Sequence, residues 1–280
     1  MLRGGARAAY GLLHRLTGGT IPNPLAFDGL TVYHHNDAIF APMLATGGFE
    51  AETTRLLREV LEPGMTVLDI GANIGVMSLV AARAVGETGS VYAFEPGPTI
   101  VTTLQRNVAA NGFAARIRVY ALAVGATPGT IDIHVAPTGD ALASIYAEAA
   151  ESGGGTSVAT AVPLTSLDAW GAEHRWPRVD LIKIDVEGAE IAVLDGMREL
   201  CRRTGACRLI VEFNVRTLRI AEKTPHDLFV ALDACGFGSI RIIDYGLEPF
   251  DPRTDLPRLL RRIAAANVEG VNFSCERPAP

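Results

Sequence analysis

The chain has 280 residues, a formal net charge of −6 and an apolar fraction of 48%. That length suits one large α/β domain or two small ones. The mild acidity argues against a nucleic-acid partner, which calls for a strongly basic face, and no run of about 18 apolar residues is available to span a membrane. Cys201, Cys207, Cys235 and Cys275 form no C-x-x-C pair and have no histidine at zinc-like spacing beside them. They read as free thiols in a reducing, cytoplasmic setting rather than as a metal knuckle.

Residues 1–20 carry Arg3, Arg7, His14 and Arg15, no acid, and a short apolar face of Leu12, Leu13 and Leu16. The continuous apolar core of a secretory signal is missing. A frayed or capping helix is expected here, with at most weak contact to an anionic membrane surface. Residues 22–48 are loop-rich, with a short strand over 30–34. Helical spacing over 50–61 ends at Pro63–Gly64. A buried strand at 67–70 then enters a glycine turn, followed by an apolar helix over 76–85. A second strand at 90–94 ends at Glu95-Pro96, and a helix over 100–110 is stopped by Asn111–Gly112. Residues 117–122 form a third strand and 130–135 an added one. The stretch 137–155 is small, polar and glycine-rich, and reads as a long surface loop.

Beyond it, 157–162 is extended and a helix starts near 164–170, with Thr165 or Ser166 as N-cap. Residues 180–185 and 208–213 are strands, 191–201 and 225–235 helices. The last strands, 240–244 and 270–275, flank an arginine-bearing helix over 256–266. Strands that alternate with helices predict a mostly parallel, doubly wound sheet covered on both faces. The crowded late strands predict an antiparallel pair at its far edge.

The turn that opens the first unit places bare backbone and free helix N–H groups at a crevice, the layout of a nucleotide-type site. An acid at the end of the second strand, about 20 residues past such a turn, suits a ribose diol, and Glu95 stands there. A dinucleotide site uses G-x-G-x-x-G so that a pyrophosphate can press on the backbone. Here those positions are Gly71, Asn73 and Val76, which disfavours a nicotinamide-dependent dehydrogenase. S-adenosylmethionine carries a ribose and no phosphate, so it loses nothing by these changes, and Asp69 can face its ammonium group directly or through water.

Four motifs are more specific: V-L-D-I-G-A-N-I-G at 67–75, Y-A-F-E-P at 92–96, N-V-A-A-N-G at 107–112 and L-I-K-I-D-V-E-G-A-E at 181–190. In order and spacing they resemble the FkbM family of S-adenosylmethionine-dependent methyltransferases, over roughly residues 47–214. The resemblance implies a seven-stranded class I methyltransferase sheet, α/β and Rossmann-like. Residues 47–280 would form the catalytic domain and residues 1–46 a partly helical segment able to cover the active site. It implies methyl transfer to a hydroxyl on a sugar, glycolipid or polyketide-type molecule, so the expected partner is a small-molecule or glycan acceptor. N- or carboxyl-methylation is the alternative on the same fold. A non-catalytic S-adenosylmethionine-binding module is a further one, although the intact D-x-G-x-N-x-G and D-x-E patterns speak against lost activity.

Carried over motif by motif, Asp69, Gly71, Asn73 and Gly75 would line the methionine end of the cofactor. Glu95 would hold the ribose, with Pro96 shaping the turn, and Ala123 and Val124 would lie near the adenine. Asp185 would face the transferred methyl. A hydroxyl acceptor must lose a proton, and the candidate bases are Asp185, Glu187 and Glu212, with Asn214 beside them. These carboxylates could instead orient the acceptor through a divalent cation. With no D-D pair or histidine next to them, no metal is expected. Lys183 shares a strand face with Asp185. A structural ion pair is the favoured reading over a catalytic lysine, because a buried amine requires a partner. The histidines read as surface residues, Trp170 and Trp176 as packing residues, and Arg258, Arg261 and Arg262 as a solvated helix face.

Overall fold

The computed structural model describes residues 21–35, 40–135, 144–150 and 157–279. The expected helix over 1–20, and much of the 137–155 stretch, lie outside these residues. The described chain opens with a hairpin, β1 (Leu25–Phe27) and β2 (Leu30–Val32), closed by Asp28 and Gly29, both at positive φ. Aspartate and glycine suit this two-residue turn because they tolerate the left-handed region. Two helices follow, α1 (Phe40–Ala45) and α2 (Ala51–Val60), before the first core strand, β3 (Thr66–Ile70). The chain then alternates through α3 (Val76–Ala84), β4 (Ser90–Phe94), α4 (Pro98–Ala110) and β5 (Ile117–Tyr120).

The excursion β6 (Ala123–Val124), β7 (Gly129–Val135), α5 (Ala147–Ala150) and β8 (Val158–Thr165) leads to α6 (Leu167–Glu173). Alternation resumes with β9 (Leu181–Ile184), α7 (Glu190–Asp195), α8 (Arg198–Arg203), β10 (Cys207–Asn214), α9 (Val215–Ile220) and α10 (Pro225–Ala234). The chain closes with β11 (Gly238–Ile242), β12 (Glu248–Pro249), α11 (Leu256–Ala266) and β13 (Gly270–Arg277).

The main sheet has eight strands in the order β12-β11-β13-β10-β9-β3-β4-β5. Strands β10, β9, β3, β4 and β5 run parallel, and β13 is antiparallel to both β10 and β11. This is the doubly wound sheet expected, with two adjustments. The two-residue β12 adds an eighth strand to the seven, antiparallel to β11 at the far edge where an antiparallel pair is expected, and a further antiparallel strand, β13, is inserted between β10 and β11. Strand β7 stays out of the main sheet and joins β6 and β8 in a three-stranded one. Only Ile133 of β7 is fully buried. A strand with one apolar side cannot sit in a sheet covered on both faces.

Period-two alternation sends Val67, Leu181 and Ile210 to the face packed by α2, α3 and α4. It sends Leu68, Ile182, Leu209 and Val211 to the face packed by α6, α7, α8 and α10. Asp69, Lys183 and Glu212 therefore fall on the first face, one step beyond Val67, Leu181 and Ile210. Because the chain moves outward from β3 to β5 and then returns to β9, the switch point of the sheet lies between β3 and β9. Among the described residues no helix is long and apolar enough to cross a membrane.

The expected helix over 191–201 is two helices, broken at Gly196. A Cβ there would overlap the Gly125 carbonyl, and Asp168 starts the second helix by accepting the Glu199 and Leu200 N–H groups at 3.1 and 2.7 Å. Sequence periodicity carries no trace of either contact.

The N-V-A-A-N-G motif has a structural purpose. Asn111 exchanges two hydrogen bonds with the Thr31 backbone, at 2.9 and 2.8 Å. Asn107 does the same with Tyr33, at 2.6 and 3.0 Å, and also donates to the Ile74 carbonyl at 2.8 Å. Four residues of helix rise about 6 Å and two residues of strand about 6.7 Å. Two asparagines at i and i+4 can therefore imitate a neighbouring strand for alternate residues of the hairpin segment, while Phe27, Leu30 and Val32 join the same core as α2 and α3. Asn107→Ala removes three of these bonds and leaves buried backbone groups unpaired. Urea unfolding should show a loss of about 2–4 kcal/mol, with faster amide exchange at Tyr33.

Candidate functional site

The glycine turn after β3 is set by neighbouring backbone. Gly71 and Ala72 donate to the Phe94 carbonyl at 3.0 and 2.9 Å. Gly71 has φ +79°, and a Cβ there would overlap the Asp185 carbonyl oxygen. Only glycine meets both conditions, so the turn after β3 and the end of β9 lie directly against each other. Gly75, at φ +90°, begins α3, and Asn73 adopts φ 50°. Asn73 also accepts the Ile74 N–H on its own Oδ1 at 2.7 Å, a local bond that suits asparagine to a left-handed position.

Glu95 is buried and ties two turns together. Its Oε2 accepts the Asn73 N–H at 3.0 Å and its Oε1 the Gly97 N–H at 2.8 Å. The carboxylate thus serves as a start signal for α4 and as a brace for the glycine turn at once. Pro96 follows, half-buried, and Ala123 and Val124 are buried in the short strand just past β5, where Val124 packs with Tyr92 and Trp170.

At the ends of β3, β9 and β10 the sheet collects acids. Asp69 is 1% exposed; Ser78 donates to its Oδ2 at 2.5 Å, and its Oδ1 accepts no hydrogen bond. Burial pushes its carboxyl above the ordinary value, with Lys183 and Ser78 opposing. Lys183 lies in register opposite Asp69 and donates to Asp185 Oδ2 at 2.8 Å. Burial works against its charge, but Asp185, then Glu50 and Asp69, hold it above its usual value. The contact with Asp185 bears out the ion-pair reading of Lys183.

One oxygen each from Asp185, Glu187 and Glu212 lies within 4.8 Å of the others. Burial raises Glu212 well above 4.5, and Glu187, Asp185 and Glu190 add to the rise. Its Oε2 is sealed from solvent without a donor, while Asn214 donates to Oε1 at 3.4 Å. Asn214 itself caps α9, accepting the Arg216 and Thr217 N–H groups.

Two acids carry roles that the sequence did not reveal. Glu190 turns back to accept the Val186 N–H at 3.1 Å and the Gly188 N–H on both oxygens. It shapes the loop that carries Asp185 and Glu187, the latter at φ 52°. Its place at the start of α7, directly after a glycine turn, was the available signal. Glu50, at the head of α2, faces Lys183, Asp185, Asp69 and Asp244 electrostatically.

Other sequence readings resolve as packing. Trp170 stacks on His174 at 4.7 Å, Tyr120 bonds His174 at 2.8 Å, and Arg258 and Arg262 both pair with Glu248 at 2.7 Å. A groove of about 800 Å³ beside β11 and β12, lined by Phe229, Ile240, Phe250 and Leu256, belongs to the sheet edge and holds none of these acids.

Burial raises Glu50 from 4.5 to about 7 against the pull of Lys183, and Glu190 from 4.5 to about 6 against its backbone hydrogen bonds. A carboxyl raised on folding stabilises the fold fully below its unfolded value, and that contribution is lost as pH rises through the folded value. The ligand-free protein should therefore gain about 3–4 kcal/mol in urea unfolding between pH 8 and pH 5, and Glu50→Gln should flatten this rise.

A family model described as the methyltransferase FkbM domain matches residues 69–238. The methyltransferase sdnD of Sordaria araneosa is 30% identical over 158 residues, which are 48% of this chain and 60% of that protein. The hexuronic acid methyltransferase AglP of Haloferax volcanii is 29% identical over 148 residues, 53% of this chain and 56% of that protein. The chain thus spans under two thirds of the length of these curated relatives. A solved FkbM methyltransferase from Methylobacillus flagellatus superposes with a TM-score of 0.45 at 15% identity, over 85% of this chain and 55% of that one. The match of the family model to more than half of its residues places this chain in the FkbM methyltransferase family.

Proposed function

We propose that this chain transfers a methyl group from S-adenosylmethionine to a hydroxyl of a sugar, glycolipid or polyketide-type small molecule. The observation that carries the reading is the convergence of Asp69 with Asp185, Glu187 and Glu212 at the switch point of the sheet. The residues fit the cofactor. Asp69 Oδ1 is a buried acceptor with no donor among the described residues, as a cationic ligand requires. Glu95 is a buried carboxylate held at the end of β4, where a ribose diol is expected. Asn73 and Val76, in place of glycines, leave a pyrophosphate without its cradle. When bound, the cofactor supplies a methyl group on a sulfonium, already activated for displacement.

In this reading Asp69, Gly71, Asn73 and Gly75 hold the methionine end, Glu95 and Pro96 the ribose, and Ala123 and Val124 flank the adenine. What remains for the protein is to hold the acceptor oxygen in line and to take its proton. Asp185 is anchored by Lys183, which suits it to orient the hydroxyl. Glu187 comes from a loop held by Glu190 and adds a second acceptor. Glu212 has its proton affinity raised by burial and by the other acids, which suits it to take the hydroxyl proton. So many acids favour an uncharged acceptor over an anionic one. The Haloferax relative is named for a hexuronic acid, a sugar that offers hydroxyls and a carboxylate, which supports a sugar-type acceptor and keeps carboxyl methylation as the alternative.

Calorimetric titration should show saturable binding of S-adenosylmethionine and S-adenosylhomocysteine and none of NAD; binding of NAD alone would overturn the reading. Glu95→Ala should weaken S-adenosylmethionine roughly 10- to 150-fold, the equivalent of about 1.5–3 kcal/mol. In a screen of hydroxylated acceptors, Asp185→Asn and Glu212→Gln should each lower turnover by about 100-fold or more while cofactor affinity stays close to wild type. Equal turnover in either variant removes that residue from the acceptor side.

A further inference from the structure

Glu50 stands at the head of α2 in a conformation that serves no helix. Its φ of 37° lies in the left-handed region, and its side chain caps none of the free N–H groups that follow. Its Oε2 is sealed from solvent and accepts no hydrogen bond. Asp69, 1% exposed on β3, presents a second sealed oxygen of the same kind, Oδ1. The positive charge that acts on both is Lys183, whose ammonium already donates to Asp185. Three acids therefore share one ammonium. Buried carboxylates need a cationic partner or a proton, and the two oxygens without donors mark where a further cation is wanted.

A metal is the weaker match for these two oxygens. The acids whose oxygens gather closely enough for one are Asp185, Glu187 and Glu212, and that group does not include Glu50 or Asp69. An alkylammonium ion offers three N–H donors to such acceptors.

We infer that Glu50 is a cofactor-binding residue, and that with Asp69 it receives the α-ammonium group of the methionine portion of S-adenosylmethionine. This rests on the cofactor reading above. The left-handed backbone at Glu50 is then the means of turning its carboxylate from the helix end toward the Asp69 and Lys183 side of the crevice.

The test is calorimetry of the full chain with two probes, S-adenosylhomocysteine and its analogue lacking only the α-amino group. Wild-type protein should bind the first at least tenfold more tightly. Glu50→Gln should weaken S-adenosylhomocysteine at least tenfold and leave the deaminated analogue unchanged or tighter, since one negative charge facing its carboxylate is gone. Glu50→Asp, which keeps the charge but withdraws it by one methylene, should show the same selective loss in smaller degree. It also serves should the glutamine variant not fold. Equal loss for both probes, or no loss for either, overturns the assignment of Glu50 while the cofactor reading stands. Wild-type protein that binds neither probe overturns both.

Discussion

The buried ammonium of Lys183 is the interaction on which the site depends. It sits on a strand whose other three residues are apolar, opposite Asp69 and bonded to Asp185. Without that charge, Asp69, Asp185 and Glu50 would face one another across an apolar face of the sheet. Buried like charges lower their cost by taking up protons, and a crevice of protonated acids could neither attract a cation nor accept a proton. One lysine therefore keeps several carboxylates usable. Removing one member of a buried pair costs about 3–5 kcal/mol, so stability and chemistry draw on the same contact.

Around that pair, the rest of the site is held by side chains that bond to backbone. Glu95 braces the glycine turn against the start of α4, Glu190 shapes the loop carrying Asp185 and Glu187, and Asn214 fixes the start of α9 beside Glu212. Asn107 binds Ile74 within the same turn and joins it to the hairpin segment. Each bond sets a loop whose own sequence is too short to set itself. Loops positioned this way on a rigid sheet are where binding and catalytic groups are concentrated, and the two principal loops lie directly against each other where Gly71 meets the Asp185 carbonyl.

Much of this was legible in the sequence because the signals were local. Apolar runs between glycine and proline stops located the strands of the parallel sheet. Period two placed Lys183 and Asp185 on one face, and a buried amine next to an acid could be read as a pair. The glycine turn with Glu95 downstream, and the absence of the second and third fingerprint glycines, narrowed the ligand before any contact was known. The split of the helix at Gly196, the separate sheet containing β7 and the insertion of β13 were not legible. Each depends on a partner far along the chain: the Gly125 carbonyl, strand β8, and the flanking strands β10 and β11.

The amino-acid order alone therefore determined the fold class, the family and the position of the acids along the chain, since hydrophobic period, turn chemistry and motif spacing are properties of neighbouring residues. Tertiary structure decided which acids meet. Strand order brings Glu212 beside Asp185 and Glu187, and packing of α2 against the sheet brings Glu50 to Lys183. Those distances follow from closing long loops around a common core, a condition no local pattern encodes.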